Sequence, residues 1–402
     1  MIALSVLAWI LLTFAVCALV LWLTVFVRLV RIIRTRPTVR AGVGLPEPPG
    51  GWPSISVIVP AHNEERVIER CARSLMEQEY PSLQCIFVLD RCTDETAARL
   101  RAIDPGGERL HIIENESCPS DWAGKCNAAR VGAEQAEGEL LLFMDADTCA
   151  APGLLRAAAA ILRARGIGLL SLLSTLTCDE EFELRSQPIA SMLLLALYPP
   201  DMVNRPVHPR PFANGQFMLF DREWYDRIGG HEAVKDDLLE DIAFARCINS
   251  NGGRGNVLMA DGLFTCSMYS SREAFRCGWQ RIFIEACRRK PARLRKHAAR
   301  VACLGVLLPA ALIAGIPVGV VSGMLDGPGP GFDLAVASAA ALCLQVLGLA
   351  LMCRMGRQPV RSLLQFPFGC LEVARILRRG AEVLRAGEPI VWGGKQYVLK
   401  AR

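Results

Sequence analysis

The sequence predicts an α/β domain with a mostly parallel sheet, accompanied by about three transmembrane helices and a C-terminal interfacial helix. Two observations predict it. Between Ser54 and Asp145, short apolar runs alternate with helix-forming runs, and a β-α-β series of this kind builds a parallel sheet covered by helices on both faces. Outside that stretch lie three runs without charge, Met1–Val27, Val301–Leu325 and Leu334–Cys353. Each reaches the ~20 residues that an apolar helix needs to span a bilayer.

Arg28, Arg31, Arg34 and Arg36 follow the first run at once. The positive-inside rule then sets the N-terminus outside and the following domain in the cytoplasm, on the inner (plasma) membrane. There is no basic leader and no cleavage pattern, so a retained anchor is expected rather than a signal peptide. A linker rich in Pro and Gly, with Pro46, Pro48, Pro49, Gly50 and Gly51, leads into the domain. Strands are expected at 54–59, 84–89, 110–113 and 140–145. Helices are expected over 64–77, capped by Asn63, and over 93–103 and 124–134. A helix to Arg165, a strand at 167–173, a core or interfacial helix at 186–198 and a strand at 216–220 follow. The domain closes with helices over 238–250 and 272–289, the latter basic and amphipathic. The acidic loop DGPGPGFD (326–333) joins the last two uncharged runs, making a hairpin that returns to the cytoplasm. The segment 360–379, rich in Arg and interrupted by Pro367, is expected along the membrane interface. The domain limits expected are 1–30, 52–295, 300–353 and 354–402.

The net charge of +5 is small and dispersed, which argues against nucleic acid as a partner. The 16 cysteines fall singly with no C-x-x-C pair, so neither a zinc site nor a disulfide framework is expected.

The chemistry centres on LLLFMDADT (140–148). On extended chain, Asp145 and Asp147 point to one side. Two such carboxylates repel unless a cation joins them, and hard ions such as Mg²⁺ or Mn²⁺ favour carboxylate and phosphate oxygens. A lone D-x-D is more often a solvated acidic loop. Here the loops PAHNEE, DRCTDET and DADT all leave strand C-termini, where ligands of α/β sheets bind, so the three should meet at one edge. A dinucleotide fingerprint (G-x-G-x-x-G) and a P-loop are both absent.

The motifs VIVPAHNEE (57–65), VLDRCTDET (88–96), GKCNAA (124–129), FMDADT (143–148), NGQFMLFDR (214–222), LLEDIAFA (238–245) and GWQRIF (278–283) run in one order. In this the chain resembles the inverting glycosyltransferases of family 2, with the nucleotide-sugar-binding GT-A fold. Its nearest likeness is to the membrane-bound branch acting on hopanoids, carotenoids and ceramide. The resemblance implies that Pro60, Ala61 and Glu64 line the nucleotide, Asp90 meets the base and Lys125 lies near base or phosphates. It implies Asp145 at ribose or metal, and Asp147 at the Mg²⁺ or Mn²⁺ that bridges the diphosphate. Asp241, beside Glu240, would be the general base; for the pair alone, a first-turn acidic couple favoured by the helix dipole is an equal reading. Arg281 is the choice to meet the leaving diphosphate, against Arg276 and Arg288. Asn214, Gly215 and Gln216 would lie near the acceptor and donor sugar, or form only a turn before a strand.

Two departures stand out. Arg91 follows Asp90 where many relatives carry a second acid, and the Q-x-x-R-W of processive synthases is missing. The expected activity is therefore transfer of one sugar from a nucleotide donor, a UDP-sugar ahead of a GDP-sugar, to a lipid hydroxyl. A polysaccharide synthase and a non-catalytic nucleotide-sugar-binding membrane protein are the alternatives. His62, His111 and His231 are assigned no role, and Trp122 is read as either ligand-stacking or packed. The C-terminal WGGKQY (392–397) resembles a W-x-G-x-x-Y element of lipid-acting relatives.

Overall fold

The structure is a computed structural model that describes residues 2–35, 37–235, 239–327, 329–392, 395–399 and 401. Expectations that fell on Met1, Arg36, Leu238, Pro328, Gly393 and Gly394 lie outside the described residues.

The chain opens with α1 (Ile2–Arg34) and then enters β1 (Ile55–Ala61), α2 (Ile68–Met76), β2 (Leu83–Asp90), α3 (Thr96–Ile103), β3 (Leu110–Asn115), α4 (Gly124–Glu134) and β4 (Leu140–Met144). β5 (Thr148–Ala150), α5 (Leu154–Arg165), β6 (Leu169–Leu173), β7 (Thr175–Leu176), α6 (Glu181–Leu197) and α7 (Pro200–Val203) follow. Then come β8 (Phe217–Asp221), α8 (Arg222–Arg227), α9 (Glu240–Ser250), β9 (Gly255–Met259), β10 (Phe264–Cys266) and α10 (Arg272–Ala286). The last part holds α11 (Pro291–Ala302), α12 (Leu308–Asp326), α13 (Pro330–Met355), α14 (Phe366–Ala386) and the hairpin β11 (Pro389–Trp392) and β12 (Lys395–Val398).

Seven strands form one sheet in the order β3-β2-β1-β4-β8-β6-β9. All neighbours are parallel except β8, which runs antiparallel to β4 and β6. That reversal matters for the site. Met144 at the end of β4 pairs with Phe217 at the start of β8, so the segment before β8 arrives at the edge where the parallel strands end.

The period of two sorts the core. Val57 and Val59 face Cys71, Leu75 and Ala158 of α2 and α5 on one side, while Ile58 faces Ala128 of α4 and Phe244 of α9 on the other. β4 is buried along its whole length, and each such large apolar side chain contributes about 1.5–3 kcal/mol relative to exposure.

Several elements differ from the sequence reading. Asn63 does not cap α2: it sits at φ 57, and its Oδ1 accepts from the Thr93 N–H at 2.8 Å. Helix α2 instead starts at Ile68, because residues 64–67 are spent joining the loops after β1 and β2. There the Glu64 N–H donates to Thr96 Oγ1 and the Glu65 N–H to Asp94 Oδ2. A small second sheet, β5-β10-β7, was not expected, since strands of two or three residues carry no readable period. Pro367 does not interrupt a helix but lies in the first turn of α14, where a missing N–H costs nothing.

Among the described residues three helices are long and apolar enough to cross a membrane: Val6–Arg34, Pro291–Leu325 and Pro330–Met355. The second is continuous through a π-helical turn at Cys303–Leu307. α1 and α12 both pack along α13, with Ala15, Ala18, Trp22 and Leu312 buried between them. Val6, Trp9, Ile10, Phe14 and Val20 point outward. Helix α14 uses most of its apolar stripe against protein: Val373, Ile376, Leu377 and Leu384 are buried with Phe275, Phe283 and Leu294 of α10 and α11. Only its beginning and the turn before it leave Val360, Leu364, Phe368 and Leu371 exposed.

Candidate active site

The C-terminal ends of β1, β2 and β4, the turn before β8 and the first turns of α4 and α9 surround a cleft of about 420 Å³. Pro60, Ala61, Glu64, Asp90, Lys125, Asp145, Asp147, Asn214, Gly215, Gln216, Glu240, Asp241 and Arg281 all line it. The acidic side chains far apart in the chain therefore open onto one space.

Lys125, in the first turn of α4, is the hub. Its Nζ lies 2.7 Å from Asp145 Oδ1 and 2.8 Å from Glu240 Oε1. Burial works against the Lys125 charge, but Asp145 and then Glu240 outweigh it and hold the ammonium above its ordinary range. Glu240 is held below the usual carboxylate range: Lys125 overcomes the opposing effect of burial. Among the described residues Asp241 forms no ion pair. Burial, and then the neighbouring Glu240 charge, push it up to about 7, and Lys125 acts on it only as a weaker, lowering influence. Its two oxygens accept from backbone N–H groups, Oδ1 from Ile242 at 2.6 Å and Oδ2 from Gly215 at 2.8 Å, which fixes its direction.

Gly215 is required by this crowding. A Cβ there would stand 3.2 Å from Lys125 Nζ, 3.3 Å from Glu240 Oε1 and 3.4 Å from Asp241 Oδ2. The side chains beside it serve a different end. Asn214 Nδ2 donates to the Leu172 carbonyl at 2.9 Å, and Gln216 Oε1 accepts from Asn214 Nδ2 and from Ser174 Oγ. Both side chains pin the turn to β6, leaving the Gly215 backbone to face the chemistry.

Asp147 sits on β5's approach, where Cys266 of β10 donates its S–H to Oδ1 at 3.4 Å. Burial and then Asp145 push Asp147 up to about 7. Glu64 is pushed to about 8 by burial first, then by Asp147 and Asp145, while burial raises Asp145 against the pull of Lys125. Three carboxylates that disfavour each other's charge are the condition in which a bound cation stabilises most. Among the described residues no three His, Cys, Asp or Glu side chains converge as a complete metal cage.

Asp90 is buried and already partnered. Arg91 Nε and Nη2 reach its two oxygens at 3.1 and 2.6 Å, and Asn115 Nδ2 donates at 3.0 Å. Of the three arginines weighed, Arg276 pairs with Glu372 of α14 at 2.5 Å and Arg288 does not line the cleft, whereas Arg281 does and its charge acts on Asp145.

Other wall residues were given no role from the sequence, although His62, Ile282 and Tyr397 lie within PAHNEE, GWQRIF and WGGKQY. His62 lines the cleft with Nδ1 2.6 Å from the Asp90 carbonyl oxygen, and Met268, Tyr269, Ile282 and Tyr397 complete the rim. Tyr269 lies against Gly278 of α10, so the glycine of GWQRIF is the one trace of it. His231 is a core residue rather than a surface one: it is 2% exposed, its Nδ1 is 2.7 Å from the Tyr225 hydroxyl, and burial pushes it down to about 3. Trp122 packs beneath Arg130, 5.1 Å from its ring, and takes no place in the cleft wall.

The profile of a family described as glycosyl transferase family 2 matches residues 56–229. The chain is 35% identical over 94 residues to a 4,4'-diaponeurosporenoate glycosyltransferase of Staphylococcus haemolyticus, 23% of this chain and 24% of that protein. It is 26% identical over 200 residues to a beta-monoglucosyldiacylglycerol synthase of Nostoc sp., covering 48% of this chain and 41% of the relative. The chain thus spans about a quarter to two fifths of the length of these relatives. A solved mannosyltransferase of Pyrobaculum calidifontis in complex with GDP-Man and Mn²⁺ is similar at 20% identity and a TM-score of 0.47, over 86% of this chain and 99% of that one. The match to glycosyl transferase family 2 thus covers residues 56–229, the part of the chain that runs from β1 to β8 and carries the loops after β1, β2 and β4.

Proposed function

We propose that the chain moves a single sugar from a nucleoside-diphosphate donor to a hydroxyl of a membrane lipid, with inversion at the anomeric carbon. The observation that carries this is the meeting of Asp147, Lys125 and Asp241 in one cleft. An anion-binding end and a base lie side by side there.

Asp241 takes the proton of the acceptor hydroxyl. The acceptor oxygen then bonds to the anomeric carbon as the bond from that carbon to the diphosphate oxygen breaks, and the nucleoside diphosphate leaves. A carboxylate pushed up to about 7 is near the value a general base needs at neutral pH. Two backbone N–H bonds aim it, and the ionised Glu240–Lys125 pair beside it is already neutralised. Lys125 and Arg281 supply fixed positive charge where the leaving diphosphate gains negative charge. Asp147, with Asp145 beside it, would hold Mg²⁺ or Mn²⁺, which when bound neutralises the diphosphate. Glu64 supports the same cluster. Asn214 and Gln216 hold the turn that presents Gly215 to the sugar end.

The relatives named for a carotenoid acid and for a diacylglycerol support a lipid acceptor, as do three helices able to cross a membrane. Arg28, Arg31 and Arg34 at the end of α1 favour a cytoplasmic cleft at the inner membrane. A UDP-sugar is the first donor to try, then a GDP-sugar. Membranes carrying the chain are given radiolabelled donors with Mn²⁺. Label in a chloroform-soluble product bearing one sugar supports the proposal. Label in a polymer would make the chain a synthase, and no transfer from any donor would leave a binding protein.

A further inference from the structure

The hairpin β11–β12 lies at the far end of the chain from the motif loops, yet it returns to the cleft. Ile390 pairs with Tyr397 across it. Gln396 and Val398 face outward while Leu399 is buried, so the strand period sends Tyr397 and Leu399 inward together. Ile390 and Leu399 anchor the hairpin in the apolar cluster shared with α10, α11 and α14, and the Arg379–Glu388 ion pair at 2.6 Å ties its base to α14. Tyr397 then lines the cleft, where its hydroxyl takes a hydrogen bond from the backbone N–H of Gly124.

That contact fixes which end of the cleft Tyr397 serves. Gly124 is wedged against the Asp90–Arg91 pair, since a Cβ on it would stand 2.9 Å from Arg91 Nη2 and 3.1 Å from Asp90 Oδ2. Asp90 ends β2, whereas Gly215 and the base Asp241 lie at the start of β8. In the sheet order β2-β1-β4-β8 these are three strand spacings apart, about 14 Å, which is the reach of a nucleoside diphosphate carrying a sugar. Asp90 already accepts three hydrogen bonds from Arg91 and Asn115, which leaves about one acceptor position for a base, so a second hold on the base adds most at this end.

We propose that the C-terminal hairpin is a wall of the donor site and that Tyr397 packs on the base and ribose of the nucleotide. This rests on the donor reading given above. An aromatic face tolerates any base, because every base offers a π-face.

The test is calorimetric titration of UDP and of GDP, each with Mn²⁺, into the full chain in detergent. Tyr397→Ala and the bulkier Tyr397→Leu are expected to bind both nucleotides on the order of tenfold more weakly. Tyr397→Phe is expected within about threefold of the unsubstituted chain, and Gln396→Ala, on the outer face, unchanged. Tyr397→Leu keeps the inference testable if the alanine variant does not fold. Equal nucleotide affinity in Tyr397→Leu and the unsubstituted chain overturns the inference alone, as does a raised acceptor KM with nucleotide affinity intact. Failure of the unsubstituted chain to bind either nucleotide overturns the proposed function and this inference with it.

Discussion

Replacing Lys125 by Met removes the cation that pairs with both Asp145 and Glu240 while nearly keeping the length of the side chain. Glu240 is 5% exposed and would be left facing Asp241 with no counter-charge, whereas Lys125 and Asp145 are 23% and 27% exposed. Breaking a buried ion pair costs about 3–5 kcal/mol. Water in the cleft screens the Asp145 half, which brings the expected loss to about 2–3 kcal/mol at pH 8. The loss has a pH signature. In the unsubstituted chain Glu240 is held low by Lys125, so its contribution persists down to the ordinary carboxylate range and is lost only as pH falls below it. In Lys125→Met burial acts unopposed and raises Glu240, so the penalty is full at high pH and relieved as the carboxylate protonates. Thermal unfolding of both chains in detergent between pH 5.5 and 8 reads this directly. The variant is expected to melt about 5 °C or more lower at pH 8, with the gap closing toward pH 5.5. A gap that does not change with pH, or no gap at pH 8, would refute the argued role of Lys125.

Other outcomes follow from the same cluster. Because Asp241 is pushed up to about 7 and acts ionised, sugar transfer at saturating donor should rise tenfold per pH unit below about 7 and level off above it; a flat profile from pH 5.5 to 8 would contradict the assignment. Metal-dependent nucleotide affinity should weaken between pH 8 and pH 6, as Glu64 and then Asp147 take protons that compete with the ion, which calorimetry at several pH values checks. Gly215→Ala adds a Cβ 3.2–3.4 Å from three charged atoms, and displacing them should lower kcat by about tenfold to a hundredfold while melting moves little. Unchanged kcat would mean the turn is not tied to the chemistry.

The fold could be read because its strands end in polar loops. In a parallel sheet, loops after β1, β2 and β4 have no other edge to go to, so PAHNEE, DRCTDET and DADT converge whatever their sequence separation. Hydrophobic period could not say which chemistry a helix face meets. The apolar stripe of α14 looks the same whether it faces lipid or protein, and only the buried Glu372 with Arg272 and Arg276 around it marks it as packed on α10. The choice among Arg276, Arg281 and Arg288 depended on that same contact. Asn214 and Gln216 illustrate a different limit: their residue types suit a sugar, yet the S–T–rich edge of β6 next to them consumes their hydrogen bonds. Tyr397 stood within WGGKQY without a role, and His231 was assigned none, because nothing in a linear pattern reports which distant side chain closes a cleft or fills the core behind it. Asn63 was misjudged as a cap since its preference for turns also suits the left-handed conformation it adopts.

The most direct test of the shared cleft compares the unsubstituted chain with Asp147→Asn and Asp241→Asn, measuring Mn²⁺-dependent nucleotide binding and sugar release from the donor on the same preparations. Asp147→Asn should lose the metal-dependent part of binding, and Asp241→Asn should bind normally but turn over about 10²–10⁴ times more slowly. Equal binding and equal turnover in all three would contradict the account.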